Sequence, residues 1–247
     1  IIAIMEAYNS DDPLAEWVKI AADAGIPFYV SPGTNTWNSI AGRTDNAISN
    51  MWNAAENGLT YGAIGYLNTD WGDNGHWQHL PISFVGFAYG AALSWAAQAN
   101  KDIDLPTALD WHAFQDSAGV MGRLAYELGN TYKQMGFLHN ESLLSWILVR
   151  HPGIDPNLAK LTVEGLERAE AYVNEVMSRL PEAQMARPDA ELIADEFRNA
   201  AQLLRHACHR WTARIRARGR EIQPVPEEVI WSPQNSWPNR PSDGEFT

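Results

Sequence analysis

The sequence contains a single cysteine, Cys208, among its 247 residues. No disulfide can form within the chain, and a metal site built from pairs of cysteines is excluded. Because Cys208 stands in the segment HACHRW, which has the pattern of a helix interior, we expect a buried, inert thiol rather than a nucleophile.

Long apolar runs are also lacking. No stretch reaches the ~18 apolar residues of a membrane-spanning helix, and the first apolar run, Ile1 to Met5, is too short for a signal peptide. We therefore expect a soluble protein, with the bacterial cytoplasm as its expected location. The chain opens on a strand-like segment without Met, which we interpret as a sign that upstream sequence is missing.

Several catalytic motifs are absent. The sequence has no GxSxG, GxxxxGK, GxGxxG or HExxH pattern, so a serine-hydrolase elbow, a nucleotide site and a zinc-protease site have no basis. We expect no cofactor and no metal ion.

Positive charge is scarce. Eighteen Lys and Arg against thirty Asp and Glu give a formal charge of −12, which repels nucleic acid and anionic membranes. Neither is an expected partner. The basic run at Arg210, Arg214, Arg216, Arg218 and Arg220 lies on a predicted helix with polar neighbours, which favours a solvated helix end over a binding patch.

Apolar runs alternate with helical patterns in the first hundred residues. Strands are predicted at 1–8, 26–32 and 61–69, and helices at 14–24, 45–57 and 82–97. We expect Gly25 to cap the first helix, and Thr44 and Gly58 to begin and end the second. This alternation indicates a parallel α/β sheet, either doubly wound or closed into a barrel.

Strand signals stop at residue 104. A helix entry is predicted at Asp104, Leu105, Pro106 and Thr107, and helices follow at 117–134, 141–149, 162–180 and 189–218. Two core stripes are expected in the last two helices: Leu161, Val163, Leu166, Ala169, Tyr172, Val173 and Val176, and then Leu192, Ala194, Phe197, Ala200, Leu203, Leu204 and Ala207. We divide the chain into an α/β part (1–100), a helical region (101–220) and a proline-rich tail (221–247).

Polar and aromatic residues are concentrated at 66–79, directly after the third predicted strand. The segment YLNTDWGDNGHWQH holds two carboxylates, two indoles and two histidines. Loops at the C-terminal ends of parallel strands carry ligand sites, because side chains from several strands converge there. The candidate binding residues in this segment are Tyr66, Asp70, Trp71, Asp73, Asn74, His76 and Trp77. The preceding strand ends offer a second set, Asn35, Trp37 and Asn38, and a third, Glu6 and Tyr8.

These side chains suit sugar binding. A pyranose ring packs its apolar C–H face on an indole, while carboxylates and amides bond its hydroxyls. A structural alternative remains open, in which Asp70 caps a loop, Trp71 and Trp77 fill a core and His76 is a satisfied hydrogen bonder. A divalent ion on Asp70, Asp73 and His76 is a further alternative, although the spacing does not match a calcium loop.

The stretches VSPGTNTWNSIAGRTDNAISN and GAIGYLNTDWGDNGHWQHLPISFVGFAYGAALSW resemble the end of the barrel of the family 20 glycoside hydrolases, the β-N-acetylhexosaminidases, in a bacterial subgroup. The resemblance covers roughly residues 1–100 and implies the C-terminal portion of a TIM (β/α)8 barrel, with strands six to eight at Ile1 to Tyr8, Pro27 to Ser31 and Ala63 to Thr69. By this resemblance Trp71 would form a wall of the sugar pocket and Asp73 would hold hydroxyls, in place of the family's usual Glu.

The resemblance also implies a mechanism. The family cleaves terminal N-acetyl-β-hexosaminides by a substrate-assisted retaining reaction, in which an adjacent Asp-Glu pair orients the acetamido group and protonates the leaving oxygen. That pair ends the fourth strand, upstream of Ile1; Asp195 and Glu196 lie instead on a predicted helix. The 247 residues thus hold no expected catalyst, and we expect this chain alone to be inactive. Two alternatives stay open: a non-catalytic carbohydrate-binding protein of glycosidase type, and a helical interaction module.

Overall fold

Three parallel strands form the sheet of this computed structural model, which describes residues 2–5, 14–73, 75–136, 142–149 and 156–217. The strands are β1 (Ile2–Met5), β2 (Phe28–Ser31) and β3 (Gly65–Tyr66), in the order β1-β2-β3. Ile2 pairs with Phe28 and Tyr29 pairs with Gly65. A bridge between Gly33 and Thr69 extends the β2–β3 pairing beyond the strands.

A helix follows each strand in the described part of the chain. These helices are α1 (Leu14–Asp23), α2 (Thr44–Tyr61) and α3 (Phe84–Asn100), the last preceded by a 3-10 turn (Leu80–Ser83). Helix α1 packs on β1, β2 and α2 around a small core that contains Leu14, Val18, Phe28, Val30 and Ala54. The α/β character expected from the alternating apolar patterns is confirmed.

The ends of α2 differ from the prediction. Gly58 does not stop the helix; it lies inside α2, and Gly62, with φ of 76°, forms the C-terminal cap. Gly58 serves a close approach instead, because a methyl group added there would lie 3.0 Å from Val30. Thr44 is the first helical residue rather than the N-cap, and its backbone N–H is satisfied by the carbonyl of Gly129 at 3.1 Å.

The rest of the described chain is helical. Its elements are α4 (Leu105–Leu109), a π-helical turn (Asp110–Phe114), α5 (Met121–Leu128), α6 (Leu143–Val149), α7 (Val163–Met177) and α8 (Ala190–Ala217), with 3-10 turns at Thr131–Lys133, Pro156–Lys160 and Leu180–Glu182. The predicted entry at Asp104 is confirmed, since its carboxylate accepts from the backbone N–H of Thr107 at 3.3 Å.

The helix predicted at 117–134 is shorter than expected. Asp116 begins a turn before α5, and its carboxylate accepts from the backbone N–H groups of Ala118, Val120 and Met121 at 2.9–3.1 Å. Gly119 within that turn has φ of 69°. This local bonding offers the backbone an alternative to helix, so α5 starts only at Met121.

A continuous core joins the helices to the α/β part. Phe114 contacts Phe84 of α3 and Phe197 of α8, with ring centroids 5.8 and 5.9 Å apart. The expected stripes of α7 and α8 face this core, except that Leu192 is 59% exposed and its neighbour Ile193 is buried instead. Val163 is half-buried at the start of α7.

The thiol of Cys208 is buried in the same core, as predicted. Burial in apolar surroundings raises its pKa to about 12. Arg210 and Arg216 of the basic run are exposed, and Arg216 pairs with Glu167 at 2.8 Å, which fits a solvated helix end. Arg218, Arg220 and the predicted tail 221–247 lie outside the described residues.

Contrary to the expectation that no stretch is long and apolar enough to span a membrane, residues Leu80–Asn100 meet that criterion by length and composition, with a mean hydropathy of 1.4. Half of this segment is buried inside the molecule, which is also true of core helices in soluble proteins. The helix is interrupted at Ala96, whose φ and ψ of −155° and 77° are not helical. Asn100 satisfies the carbonyl of Ala92 at 2.8 Å near this break.

Candidate functional site

The loops that follow β2 and β3 meet at the C-terminal edge of the sheet. The backbone N–H of Thr34 donates to the carbonyl of Thr69, and the N–H of Thr69 donates to the carbonyl of Pro32, both at 2.9 Å. Ladder-type bonds therefore continue past the ends of the strands. The loop of residues 32–43 and the loop of residues 67–79 are held side by side, as the sequence predicts for neighbouring parallel strands.

Asp70 lies at the centre of this junction. Its Oδ1 accepts hydrogen bonds from the hydroxyls of Thr34 at 2.5 Å, Thr36 at 2.8 Å and Ser83 at 3.1 Å. The three donors are buried and come from the loop after β2 and from the turn before α3. One carboxylate thus connects three segments of the chain.

Gln78 extends the same network toward the indole of the loop. Its Nε2 donates to Thr36 Oγ1 at 3.0 Å and approaches the carbonyl of Trp71 at 3.5 Å. Gln78 is buried although its neighbours in the loop are partly or fully exposed. Its side chain therefore packs into the protein and links the loop of residues 67–79 to Thr36 in the neighbouring loop.

Trp71 is anchored by its ring nitrogen. The indole N–H donates to Thr69 Oγ1 at 2.9 Å, and the Thr69 hydroxyl in turn donates to the carbonyl of Pro32 at 2.8 Å. Trp71 is nevertheless 41% exposed. The polar edge of the ring is used within the protein, so contact with a ligand is left to the apolar carbon surface of the ring.

Gly33 brings two indoles together. A methyl group added at Gly33 would lie 3.0 Å from Trp37 Cζ3 and 3.5 Å from Trp71 Cδ1. The absence of a side chain at this position lets both rings approach the backbone. Trp37 is only 6% exposed, and the guanidinium of Arg43 stacks over its ring at 4.7 Å. Trp37 is therefore near Trp71 but is not an open sugar platform.

The loop after β2 is strained and buried. Asn35 and Asn38 have φ of 55° and 51°, a region that residues other than glycine adopt uncommonly. Asn35 is fully buried, and neither polar atom of its side chain has a hydrogen-bond partner in the described part of the chain. Strain and unsatisfied polar groups of this kind concentrate at functional sites.

Asp73 and His76 follow Trp71 in the same loop. Asp73 is half-buried beside a turn in which the N–H of Gly75 donates to the carbonyl of Gly72 at 3.1 Å. His76 is exposed, and its Nε2 lies 3.7 Å from Asp70 Oδ2. The exposed residues of the site are thus Trp71 and His76, while Asp73 is only partly exposed.

The remaining predicted residues are less central. Tyr66 is half-buried, and its hydroxyl donates to the carbonyl of Met51 in α2 at 3.5 Å. Trp77 is half-buried as well. Glu6, Tyr8 and Asn74 lie outside the described residues.

Metal binding has no geometric support among the residues that the structure describes. Asp70, Asp73 and His76 do not form a group of three ligands that could hold an ion, and no other group of His, Cys, Asp or Glu in this part of the chain does. A separate apolar groove of about 550 Å3 lies between α2, β3 and the end of α3. Its lining residues include Leu59, Ile64 and Trp95, but none of the site residues on the 70–79 loop.

Four residues of the polar network were not singled out from the sequence: Thr34, Thr36, Gln78 and Ser83. The two threonines are two residues apart, but Asn35 between them has φ of 55°, so the segment is not extended and the spacing alone does not predict that both hydroxyls reach Asp70. Ser83 lies in the 3-10 turn before α3, thirteen residues after Asp70, and donates to its carboxylate. No local pattern indicates that contact.

The comparison of the chain with models of protein families and with curated proteins found no match. The resemblance to family 20 glycoside hydrolases therefore depends on the TDWGDNGHWQ block and the segments around it.

Proposed function

We propose that this chain carries the sugar-binding edge of a glycoside hydrolase barrel of the family 20 type, which acts on terminal N-acetyl-β-hexosaminides. In this proposal β1, β2 and β3 are the sixth, seventh and eighth barrel strands. The observation that carries it is Trp71: its N–H is bonded within the protein, its ring is exposed, and Asp73 follows it two residues later at the C-terminal edge of parallel strands.

The exposed ring of Trp71 suits the apolar face of a pyranose. Area removed from water contributes roughly 25 cal/mol per Å2, and an indole offers a large and rigid surface at little cost in conformational entropy. Because Thr69 already accepts the indole hydrogen, the ring does not need a polar partner from the ligand. This supports stacking as the role of Trp71.

Asp73 supplies the polar half of the proposed site. A carboxylate accepts charge-assisted hydrogen bonds from sugar hydroxyls, and such bonds are roughly twice as strong as neutral ones. Asp73 is one methylene shorter than the Glu usual in the resembled family. We therefore propose that the sugar lies closer to the loop backbone here than a Glu would place it.

The substrate-assisted reaction would use residues beyond this site. The acetamido oxygen of the sugar attacks the anomeric carbon while an Asp-Glu pair orients the acetamido group and protonates the leaving oxygen. Asp195 and Glu196 are adjacent, but they lie on α8, where Asp195 pairs with Arg198 at 2.5 Å. The resemblance places the working pair upstream of Ile1, and we propose that the 247 residues bind sugar without hydrolysing it.

A non-catalytic carbohydrate-binding protein is the second candidate. In the described residues the strand ends carry candidate binding groups but no adjacent acidic pair. The enzyme needs such a pair, whereas a binding protein does not, so this observation favours the second candidate. Turnover separates the two, because both candidates bind sugar and only one cleaves it.

The experiment is hydrolysis of a chromogenic N-acetyl-β-D-glucosaminide by the complete gene product, beside its Asp73→Ala variant. The enzyme proposal predicts turnover that Asp73→Ala lowers by about a hundredfold without loss of the fold, since a truncated charged hydrogen bond costs on the order of 3 kcal/mol. A folded product that binds N-acetylglucosamine and shows no turnover would select the binding protein. A folded product that neither binds N-acetylglucosamine nor cleaves the substrate would contradict both the enzyme and the binding-protein proposals.

A further inference from the structure

We propose that Asp70 is a positioning residue, which fixes the two site loops and Trp71 through buried hydroxyls and does not itself contact the ligand. The positioning of the loops follows from the geometry alone. Its effect on sugar binding rests on the proposed function. Hydrogen exchange tests the first part, and sugar affinity tests the second.

The hydroxyls around Asp70 can be assigned as donors. Each of Thr34, Thr36 and Ser83 has one hydroxyl hydrogen, and an ionised carboxylate has only acceptor sites. All three can therefore donate to Oδ1, at 2.5, 2.8 and 3.1 Å. The short separations between the hydroxyl oxygens, such as 2.8 Å from Thr34 to Thr36, then result from sharing one acceptor.

This assignment determines the next link. Thr36, having given its hydrogen to Asp70, can only accept, and Gln78 Nε2 is the group that donates to it at 3.0 Å. The same amide nitrogen faces the carbonyl of Trp71 at 3.5 Å. A chain of polar contacts thus runs from Asp70 through Thr36 and Gln78 to the residue that follows Asp70 in the sequence.

Asp70 has little capacity left for a ligand. Oδ1 already accepts three hydroxyls, and Oδ2 lies 3.2 Å from Ser83 and 3.7 Å from His76. The side chain is 16% exposed. Asp73 is half-buried as well, but in the described part of the chain it has no comparable set of hydroxyl donors. We therefore assign the two carboxylates, three residues apart, different roles: Asp70 holds the loop, and Asp73 remains the candidate ligand contact.

Hydrogen exchange of the full chain tests the positioning directly. The amides of Thr34 and Thr69 join the two loops and serve as probes. In Asp70→Asn, which keeps the shape and removes the charge, we expect exchange at both probes to rise roughly tenfold or more, because charge-assisted bonds are replaced by weaker ones. Exchange in α7 and α8 should not change. Asp73→Asn is the matched control, and its exchange should equal that of wild type.

Thr36 provides a conservative pair. Thr36→Val is nearly isosteric but lacks the hydroxyl, and should raise exchange at the same two probes, whereas Thr36→Ser keeps the hydroxyl and should restore protection. The effects of Asp70→Asn and Thr36→Val should not add in the double variant, since both break the same chain of contacts. If Asp70→Asn does not fold, Thr36→Val and Thr36→Ser still test the positioning role of Asp70.

Affinity for N-acetyl-D-glucosamine, measured on the same variants, tests the second part. We expect Asp70→Asn and Thr36→Val to weaken binding several-fold together with the loss of protection. If wild type binds no sugar, the proposed function fails, while the exchange data still decide the role of Asp70. Wild-type protection at both probes in Asp70→Asn, or a rise spread over α7 and α8, overturns the proposal. Lost binding with unchanged exchange also overturns it, because Asp70 would then be a ligand contact.

Discussion

The indole N–H of Trp71 donates to the hydroxyl of Thr69 at 2.9 Å, and this bond holds an exposed ring at the edge of the sheet. Thr69 is at the same time the bridge partner of Gly33, whose missing side chain makes room for the ring. The orientation of the proposed sugar platform is therefore set by the backbone pairing between the loops that follow β2 and β3.

Replacing Thr69 by Val should weaken sugar binding. Val keeps the volume but offers no acceptor, so the indole would lose its anchor and sample other orientations. We expect the affinity for N-acetyl-D-glucosamine to fall about fivefold, as for a neutral hydrogen bond of about 1 kcal/mol. Titration calorimetry measures it, with Thr69→Ser as the control that retains the hydroxyl. Equal affinities of wild type and Thr69→Val would show that the anchor is not needed.

Asp116 should stabilise the fold above pH 4. Burial by itself raises the pKa of this carboxyl, but the backbone N–H groups of Gln184, Met121 and two further residues donate to it and hold the pKa below its usual value. A lowered pKa in the folded state means that the stabilisation is present above the ordinary value of 3.8 and is lost as the pH falls toward the folded-state pKa.

Asp116→Asn should therefore lower the free energy of unfolding at pH 7 by about 3 kcal/mol, because one amide oxygen cannot accept the same set of bonds. Urea unfolding between pH 7 and pH 3 gives the measurement, and the difference between wild type and variant should shrink as the pH falls. A constant difference across this range would show that the carboxylate charge has no part in it.

Asp110 should behave in the opposite way. Burial raises the pKa of its carboxyl, and the neighbouring carboxylates of Asp116 and Asp104 raise it further, against one bond from the N–H of Gly122 at 2.7 Å. A raised pKa makes this group stabilising below 3.8, and the benefit disappears as the pH rises through the folded-state pKa.

Asp110→Asn keeps the oxygen that accepts from Gly122 and removes a buried charge. At pH 7 we expect this variant to be as stable as wild type or more stable, in contrast to Asp116→Asn six residues away. Urea unfolding at pH 7 compares the two. A loss of stability in Asp110→Asn as large as that in Asp116→Asn would contradict the account of Asp110.

Cys208 should be unreactive in the native protein. Because burial raises its pKa to about 12, only about one thiol in ten thousand is ionised at pH 8. Labelling with a disulfide reagent should be slow in buffer and fast in urea, with a native rate that follows the opening of α8. Rapid stoichiometric labelling in buffer would show that the thiol is accessible.

Much of the α/β part can be predicted from the sequence because its signals are local. The run predicted at 26–32, between Gly25 and Gly33, contains β2, and the run predicted at 1–8 contains β1, with residues 1 and 6–8 outside the described chain. Asp104 has the side chain and spacing of an N-cap. Gly58 shows the limit of this reasoning. It looks like a helix stop, but its role is close packing on Val30.

The site was predicted only in part, since its internal contacts are long-range. The concentration of polar and aromatic side chains at 66–79 identifies the loop that carries the candidate site. The contacts of Asp70 with Thr34 and Thr36, however, span 36 and 34 residues. Burial of Trp37 under Arg43 joins residues only six apart, but it depends on the irregular conformation of the loop, which no local pattern predicts. Composition identifies such residues as suited to sugar, but tertiary packing decides which of them reach solvent.

The most direct test of the central claim is the binding of N-acetyl-D-glucosamine to the 247-residue chain, measured by titration calorimetry in wild type, Trp71→Ala and Trp111→Ala. Trp111 is an exposed indole outside the site and serves as the matched control. At roughly −0.3 kcal/mol per non-hydrogen atom, a sugar of this size should bind with a Kd of about 1 mM. We predict that wild type and Trp111→Ala bind alike and that folded Trp71→Ala does not bind; undiminished binding by Trp71→Ala, or none by wild type, would contradict the account.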